Sequence, residues 1–272
     1  MTHIADTNKS TNALEDKIET LYHYQPFNKN HLELLLSNRT IYCSNPNSFN
    51  DPWDCKPWYN TSILDDEVEF QLHVDFIREH ARKSSSFSDA AVNAIAGNRT
   101  LLEETLNALS LGMARDNDRC FRIYCLTPDA TNSLMWSHYG DKHNGICLEF
   151  DTMNTVIGAA KRVCYNASLP TIKFYERTTD PVFHLLHKSD VWRYEKEYRI
   201  LAREPIGEAS FDDSPLCCNA GVLKLPDNSL KSIIVGCNAD YDEVYDLVRT
   251  LDPNIAIKRV VRSSNQYSLR IE

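Results

Sequence analysis

Glycine and proline are sparse in this sequence, eight and eleven among 272 residues, which excludes collagen-like and low-complexity chains. No apolar run approaches the roughly 18–20 residues needed to span a bilayer. The opening MTHIADTNKSTNALEDKIET has neither the basic flank nor the apolar stretch of a secretory signal. A cytoplasmic protein with no membrane partner is the expectation. Basic residues are the minority charge, 29 Lys and Arg against 38 Asp and Glu for a formal −9, and they never gather into a phosphate-tracking run. Non-specific nucleic-acid binding is therefore not expected, although net charge leaves room for one local nucleotide pocket.

Several motifs are missing as well. Without G-x-G-x-x-G or G-x-x-x-x-G-K-[ST] a Rossmann domain and a P-loop are disfavoured, and no repeat at a solenoid period is present. There is no G-x-S-x-G, and no spacing pairs a particular Cys with a His, so nucleophilic hydrolysis has no support in the sequence. Nine cysteines is an odd number without the two close C-x-x-C pairs of a zinc ribbon, so they read as free thiols, several inside apolar runs.

What is present describes a compact α+β protein. A chain of this length hides roughly 70–75% of its unfolded surface and needs no disulfide or metal staple. Residues 1–18 are polar and unpatterned and read as a flexible leader; 19–272 read as one α+β domain with a mixed or largely antiparallel sheet core and a helical insert at about 64–116. Strands are predicted at 21–24, 40–43, 120–126, 145–151, 162–165, 194–202, 221–225, 232–236, 256–261 and 267–271. Helices are predicted at 28–38, with Asn28 as cap, at 89–96, 101–114, 132–139, 181–188 and 241–251. In the insert, Leu64, Val68, Leu72 and Phe76 fall four apart and predict the buried stripe of a further helix, with Asp65, Asp66 and Glu67 at its start and Arg78, Arg82 and Lys83 toward its end.

Four segments carry chemistry-bearing side chains. In WRYEKEYRIL at 192–201, a strand would put Glu195, Glu197 and Arg199 on one face, where a carboxylate pair beside a guanidinium can hold one ionised Glu in a defined orientation; a solvated charged edge is the alternative. LMWSHYGDKHNG at 134–145 gathers Trp136, Ser137, His138, Tyr139 and His143, a set suited to stacking on a planar ring, or equally a pair of core aromatics with a satisfied histidine. Tyr22, His23 and Tyr24 alternate on the first strand, so His23 points away from both tyrosines and needs a polar partner if buried. Asn50, Asp51 and Asp54 sit in a turn-rich loop whose carboxylates bind a ligand or organise their own turn. His184 and His187, three apart on a predicted helix, lack an evident third ligand.

Together, LYHY at 21–24, SNPNSFNDPWD at 44–54, WSHYGDKHNGICLEFD at 136–151 and WRYEKEYRI at 192–200 resemble the bacterial family known as domain of unknown function 2971, which implies that these blocks form one unit. The opening strand with its aromatic-flanked His, the Leu-rich helix and the second strand are also similar to the start of ADP-ribosyltransferases and related phage-defence or toxin enzymes. That resemblance implies NAD as substrate, with no metal. His23 would contact the ribose alongside Tyr22 and Tyr24, Trp136 or Tyr139 would stack on nicotinamide near His138, Asn50 and Asp51 would help bind substrate, Glu197 would hold the ribose hydroxyl, Glu195 would orient or deprotonate a macromolecular acceptor, and Arg199 would complete the charged set. Two other readings stay open: a metal-dependent nucleotide or nucleic-acid hydrolase using Asp51, Asp54, Glu195 and Glu197, and a non-catalytic nucleotide sensor or interaction module. Lys196 and Arg199 are departures from the transferase pattern that neutralise charge beside the glutamates.

Overall fold

A computed structural model describes residues 10–56, 60–84, 88–169, 173–176, 182–205 and 216–272. Its elements in chain order are β1 (Thr20–Gln25), α1 (Lys29–Asn38), β2 (Thr40–Tyr42), α2 (Glu67–Ser84), α3 (Asp89–Ala96), α4 (Arg99–Cys120), β3 (Phe121–Leu126), α5 (Ser133–His138), β4 (Ile146–Asp151), β5 (Lys161–Arg162), β6 (Cys164–Asn166), β7 (His187–Ser189), β8 (Tyr198–Arg203), β9 (Val222–Lys224), β10 (Leu230–Val235), α6 (Tyr241–Leu251), β11 (Ala256–Arg262) and β12 (Leu269–Ile271). The fold is α+β with a mixed main sheet. The chain divides into two compact units, one built from the residues up to Asn45, Cys120–Cys164 and Trp192–Glu272, the other from Pro46–Arg119 and Tyr165–Val191.

The first unit is organised by the sheet β1-β4-β10-β11-β12. Its pairs are antiparallel except β10 with β11, which run parallel and are connected through α6, as a parallel pair requires. Alternation along β4 sorts the side chains: Ile146, Leu148 and Phe150 enter a core shared with Leu32 and Leu35 of α1 and Val244 and Val248 of α6, while Cys147 enters a second core with Tyr24, Met135, Trp136, Ile234 and Val260. Two smaller sheets, β3-β8-β5 and β2-β9, are stitched to each other and to the main sheet. Tyr22 and Thr127 exchange backbone hydrogen bonds of 2.7 and 2.9 Å, and Ser44 and Ile123 exchange two of 2.8 Å.

Local chemistry sets the helix ends. Asn28 accepts from the His31 N–H at 3.1 Å, and α1 stops at Arg39 in the left-handed region, φ 54°. Asp240 accepts from the Glu243 N–H at the start of α6. Within the polar leader, Ala13 is fully buried and Asp16 accepts from the Tyr198 hydroxyl at 2.7 Å.

The second unit packs α2, α3 and α4 around Leu64, Val74, Ile77, Ile95, Leu102 and Leu106. Of the predicted stripe, Leu64 and Phe76 pack in this core, but Val68 is 67% exposed and Leu72 39%, and Val74 and Ile77 are buried in their place. Leu64 lies in a 3₁₀ turn over Thr61–Asp65 ahead of α2, so the spacing of four does not run along a single helix, and four-apart positions drift around one of 3.6 residues per turn. α4 continues past the predicted end at 114 to Cys120, and its last turns bury Asn117, which meets His184. The helix predicted at 181–188 is instead a short 3₁₀ turn over Phe183–Leu186 followed by β7; residue 181 lies outside the described residues. Pairing of β7 with β6 overrides the local propensity, and His184 and His187 do not share a helical face.

Candidate functional site

The segment 192–201 is not one strand. A 3₁₀ turn covers Asp190–Glu195, Lys196 takes a left-handed conformation with φ 48°, and β8 begins at Tyr198. The Lys196 N–H bonds Arg193 O at 3.2 Å, and its ammonium lies 3.7 Å from Asp129. The chain therefore turns between Glu195 and Glu197, and the two carboxylates go to different partners.

Glu195 is buried and accepts a 2.7 Å hydrogen bond from the Tyr139 hydroxyl. α5 delivers that tyrosine. Asn132 caps the helix by accepting from the Leu134 N–H at 2.9 Å and donates its amide to Tyr194 O at 3.0 Å, which ties α5 to the 3₁₀ turn. Around this junction stands a ring cluster: the exposed His138 lies 6.2 Å from Tyr139, 6.3 Å from Trp192 and 6.5 Å from Tyr194, and Trp192 lies 6.1 Å from Tyr194. Aromatic faces carry negative potential, and the buried carboxylate bonded to Tyr139 adds to it, so the arrangement suits a flat cationic or electron-poor ring.

Glu197 and Arg199 form a separate buried pair, with Arg199 Nε donating to Oε1 at 2.8 Å and Nη2 to Oε2 at 3.1 Å. Arg199 stands opposite Cys125 in the β3–β8 register, so both side chains leave the same face. His23 lies on the other side. Its ring stacks on Tyr124 at 4.0 Å, one residue along β3 and hence on the opposite face, while its Nδ1 bonds Cys125 O at 2.7 Å. Burial pushes the His23 imidazole down to about 4 against the opposing pull of that carbonyl. The polar partner that this histidine needs is thus a backbone carbonyl, and His23 is not brought together with Glu197.

Other residues singled out in the sequence divide between architecture and site. Trp136 is fully buried with its indole N–H on Ala130 O at 2.9 Å, and Tyr24 meets it edge-on while donating to Asp129 O at 2.7 Å; both are core aromatics. Asn50 and Asp51 belong to the second unit, where Asp51 accepts from the Trp53 N–H at 2.9 Å and so organises its own turn. Asp54 is buried there 3.5 Å from the Lys188 ammonium. Among the described residues, no three His, Cys, Asp or Glu side chains are grouped to hold a metal ion.

Sequence reasoning missed a polar row across the main sheet. Tyr22 pairs in register with Glu149, and Glu149 with Ser232; Ser232 Oγ and Lys258 Nζ both donate to the largely buried Glu149 carboxylate. Burial opposes ionisation, but those two donors outweigh it and hold the carboxyl below its usual range. The Tyr22 phenol is pushed up to about 12, chiefly by burial and then by the charge on Glu149. A glutamate within the apolar run ICLEFD was the available signal, since a charge in a buried strand must have partners. Trp192 and Tyr194 were missed because a strand would have put both on the face opposite Glu195.

The model of a protein family of unknown function, DUF2971, matches residues 135–200. This span contains α5 from Met135 onward, the ring cluster and both glutamates, and it leaves out the LYHY and SNPNSFNDPWD segments. No curated protein and no solved structure matches the chain, so the similarity to this family is confined to the segment that builds the cluster.

Proposed function

We propose that the His138, Tyr139, Trp192 and Tyr194 cluster binds the nicotinamide ring of NAD, and that the chain is an ADP-ribosyltransferase-like enzyme in which Glu195, rather than Glu197, supplies the decisive negative charge. One observation carries this reading: a buried carboxylate accepts a 2.7 Å bond from Tyr139, whose ring belongs to a cluster that includes an exposed histidine. The pyridinium of NAD is a flat cation, matched to such a cluster. When the bond from the ribose to the pyridinium nitrogen breaks, nicotinamide leaves with the electron pair and the ribose develops positive charge. A carboxylate already sheltered from water favours that charge without reorganising. The acceptor nucleophile then bonds to the ribose carbon, and its proton passes to solvent or to a nearby base. Glu197 is held by Arg199 through two hydrogen bonds, whereas Glu195 accepts from the Tyr139 hydroxyl of the ring cluster. His23 has no part in this version of the mechanism.

Nicotinamide release from NAD, with and without cell extract, tests the proposal. Wild-type protein should release it, Glu195→Gln should slow release about 100-fold or more, and dependence on extract marks transfer over hydrolysis. A toxic or defensive role predicts growth inhibition on expression that Glu195→Gln relieves. No release under either condition overturns the enzyme reading. The sensor reading, favoured by the exposure of His138, then predicts nucleotide binding without turnover, with Glu195→Gln altering affinity alone.

A further inference from the structure

Outside the ring cluster, the loop after α5 places a histidine between a hydroxyl and a thiol. His143 Nδ1 lies 3.8 Å from Cys237 Sγ, within reach of a sulfur hydrogen bond, and His143 Nε2 lies 3.2 Å from Ser137 Oγ. The direction of each proton follows from the last partner in the chain. Ser137 donates its hydroxyl proton to Ser133 O at 2.9 Å, so its oxygen accepts from Nε2–H, and the Nδ1 lone pair is left facing the thiol. Burial and the positive charge of Arg262 hold the imidazole below its ordinary value, so at neutral pH it is the unprotonated, accepting form.

The loop is held in place. Asp141, Lys142 and His143 are consecutive non-glycine residues with φ of 48°, 55° and 71°, conformations that surrounding contacts must enforce. The His143 N–H bonds Trp136 O, the Asn238 N–H bonds His143 O, and the Gly236 N–H bonds Gly145 O. A Cβ on Gly236 would run into the His143 carbonyl, so that close approach requires glycine. Cys237 itself is partly exposed, at the end of β10, beside the exposed Asn238, whose Oδ1 is a second acceptor for the thiol at 3.8 Å.

We propose that Cys237 is a nucleophilic thiol that exchanges with small disulfides, with His143 taking its proton and Ser137 as the positioning residue that fixes the imidazole tautomer. Cys237 sulfur attacks one sulfur of the disulfide as its proton passes to His143 Nδ1. A new S–S bond forms to Cys237, the old one breaks, and the departing thiolate takes the proton back from His143. Cys237 is oxidised to the mixed disulfide and half of the incoming disulfide is reduced to a thiol, so the step balances without another oxidant. Exchange at sulfur fits better than acyl transfer. The N–H groups of Gly236, Asn238 and Ala239 around the thiol are bonded to Gly145 O, His143 O and Gly236 O, which leaves these amides unable to cradle an acyl oxyanion. The buried Cys43, Cys147 and Cys218 have thiols pushed up by burial and are inert by comparison.

The test is site-resolved mass spectrometry of the reduced full chain after timed exposure to glutathione disulfide at neutral pH. Cys237 should form the mixed disulfide about tenfold faster than the partly exposed Cys120 and Cys217, and His143→Gln should remove that advantage. Ser137→Ala should slow Cys237 about threefold with unchanged thermal unfolding, and Ser137→Thr, which keeps the hydroxyl, should restore it. If His143→Gln does not fold, the two Ser137 variants decide. Equal rates at Cys237, Cys120 and Cys217, or a Cys237 rate indifferent to Ser137→Ala, overturns the proposal.

Discussion

Arg199 grips Glu197 with two hydrogen bonds, 2.8 and 3.1 Å, between side chains that are 0% and 5% exposed. Breaking such a pair from one side leaves a charge in a dry site, at a cost of about 3–5 kcal/mol, whereas an apolar pair of similar volume is often tolerated. Arg199→Met should therefore destabilise the protein by about that amount in urea unfolding. Glu197→Leu with Arg199→Met should recover much of the loss, and a double-mutant cycle measures the coupling. A pair that serves the architecture also predicts that Glu197→Gln loses stability before it loses any activity specific to the ring cluster.

His23 gives the fold an acid sensitivity that has a definite sign. Its imidazole is held down at about 4 in the folded chain, against about 6.5 unfolded. Above pH 6.5 both states are neutral and the residue contributes nothing to the pH dependence. As pH falls from 6.5 to 4 the unfolded chain takes up the proton first, and stability drops by up to about 3 kcal/mol. His23→Gln should flatten this part of the profile. The comparison to make is urea midpoints at pH 7 and pH 5 for both proteins, and an equal loss in both would refute the assignment.

Much of the architecture was readable because it is locally encoded. The ends of α1, α3 and α6 follow from Asn28, Ser88 and Asp240, each a side chain that accepts from the first turn. The site was readable as segments but not as contacts. Tyr139 and Glu195 are 56 residues apart, and the alternating charges of 193–199 imitate a pleated strand where the chain turns through a left-handed Lys196. Lysine carries no local signal for that conformation, which accompanies the bond from its N–H to Arg193 O and the approach of its ammonium to Asp129. His143 and Cys237, 94 residues apart, are joined only once β4 and β10 pair.

The stripe of α2 gives a direct test of which side of that helix is buried. Ile77 is fully buried in the core of the second unit, while Val68 is two-thirds exposed. Ile77→Ala should cost about 2–5 kcal/mol, because both the transfer energy and the cavity count against it. Val68→Ala should change stability by less than about 0.5 kcal/mol. Thermal unfolding of the two variants separates these outcomes, and a large effect at Val68 would restore the four-apart stripe.

The polar row on the main sheet predicts two linked titrations. Lys258 Nζ and Ser232 Oγ outweigh the burial that would otherwise raise the Glu149 carboxyl, so Glu149 contributes stability that is present above its unfolded value of about 4.3 and lost as pH falls through its lower folded value. Lys258→Met removes the charged donor and leaves the Ser232 hydroxyl and the charge of Lys231 against burial. The Glu149 carboxyl should then titrate higher than in wild type, and the stability lost on its protonation as pH falls should shrink. Glu149→Gln acts on the neighbouring phenol: it removes the second cause of the rise at Tyr22 but leaves the larger one, burial. The Tyr22 titration should move down from about 12 without reaching an ordinary tyrosine's value near 10. NMR of isotope-labelled glutamate and tyrosine reads both shifts. A Tyr22 titration unmoved by Glu149→Gln would show that the phenol does not feel the carboxylate across the β1–β4 pair.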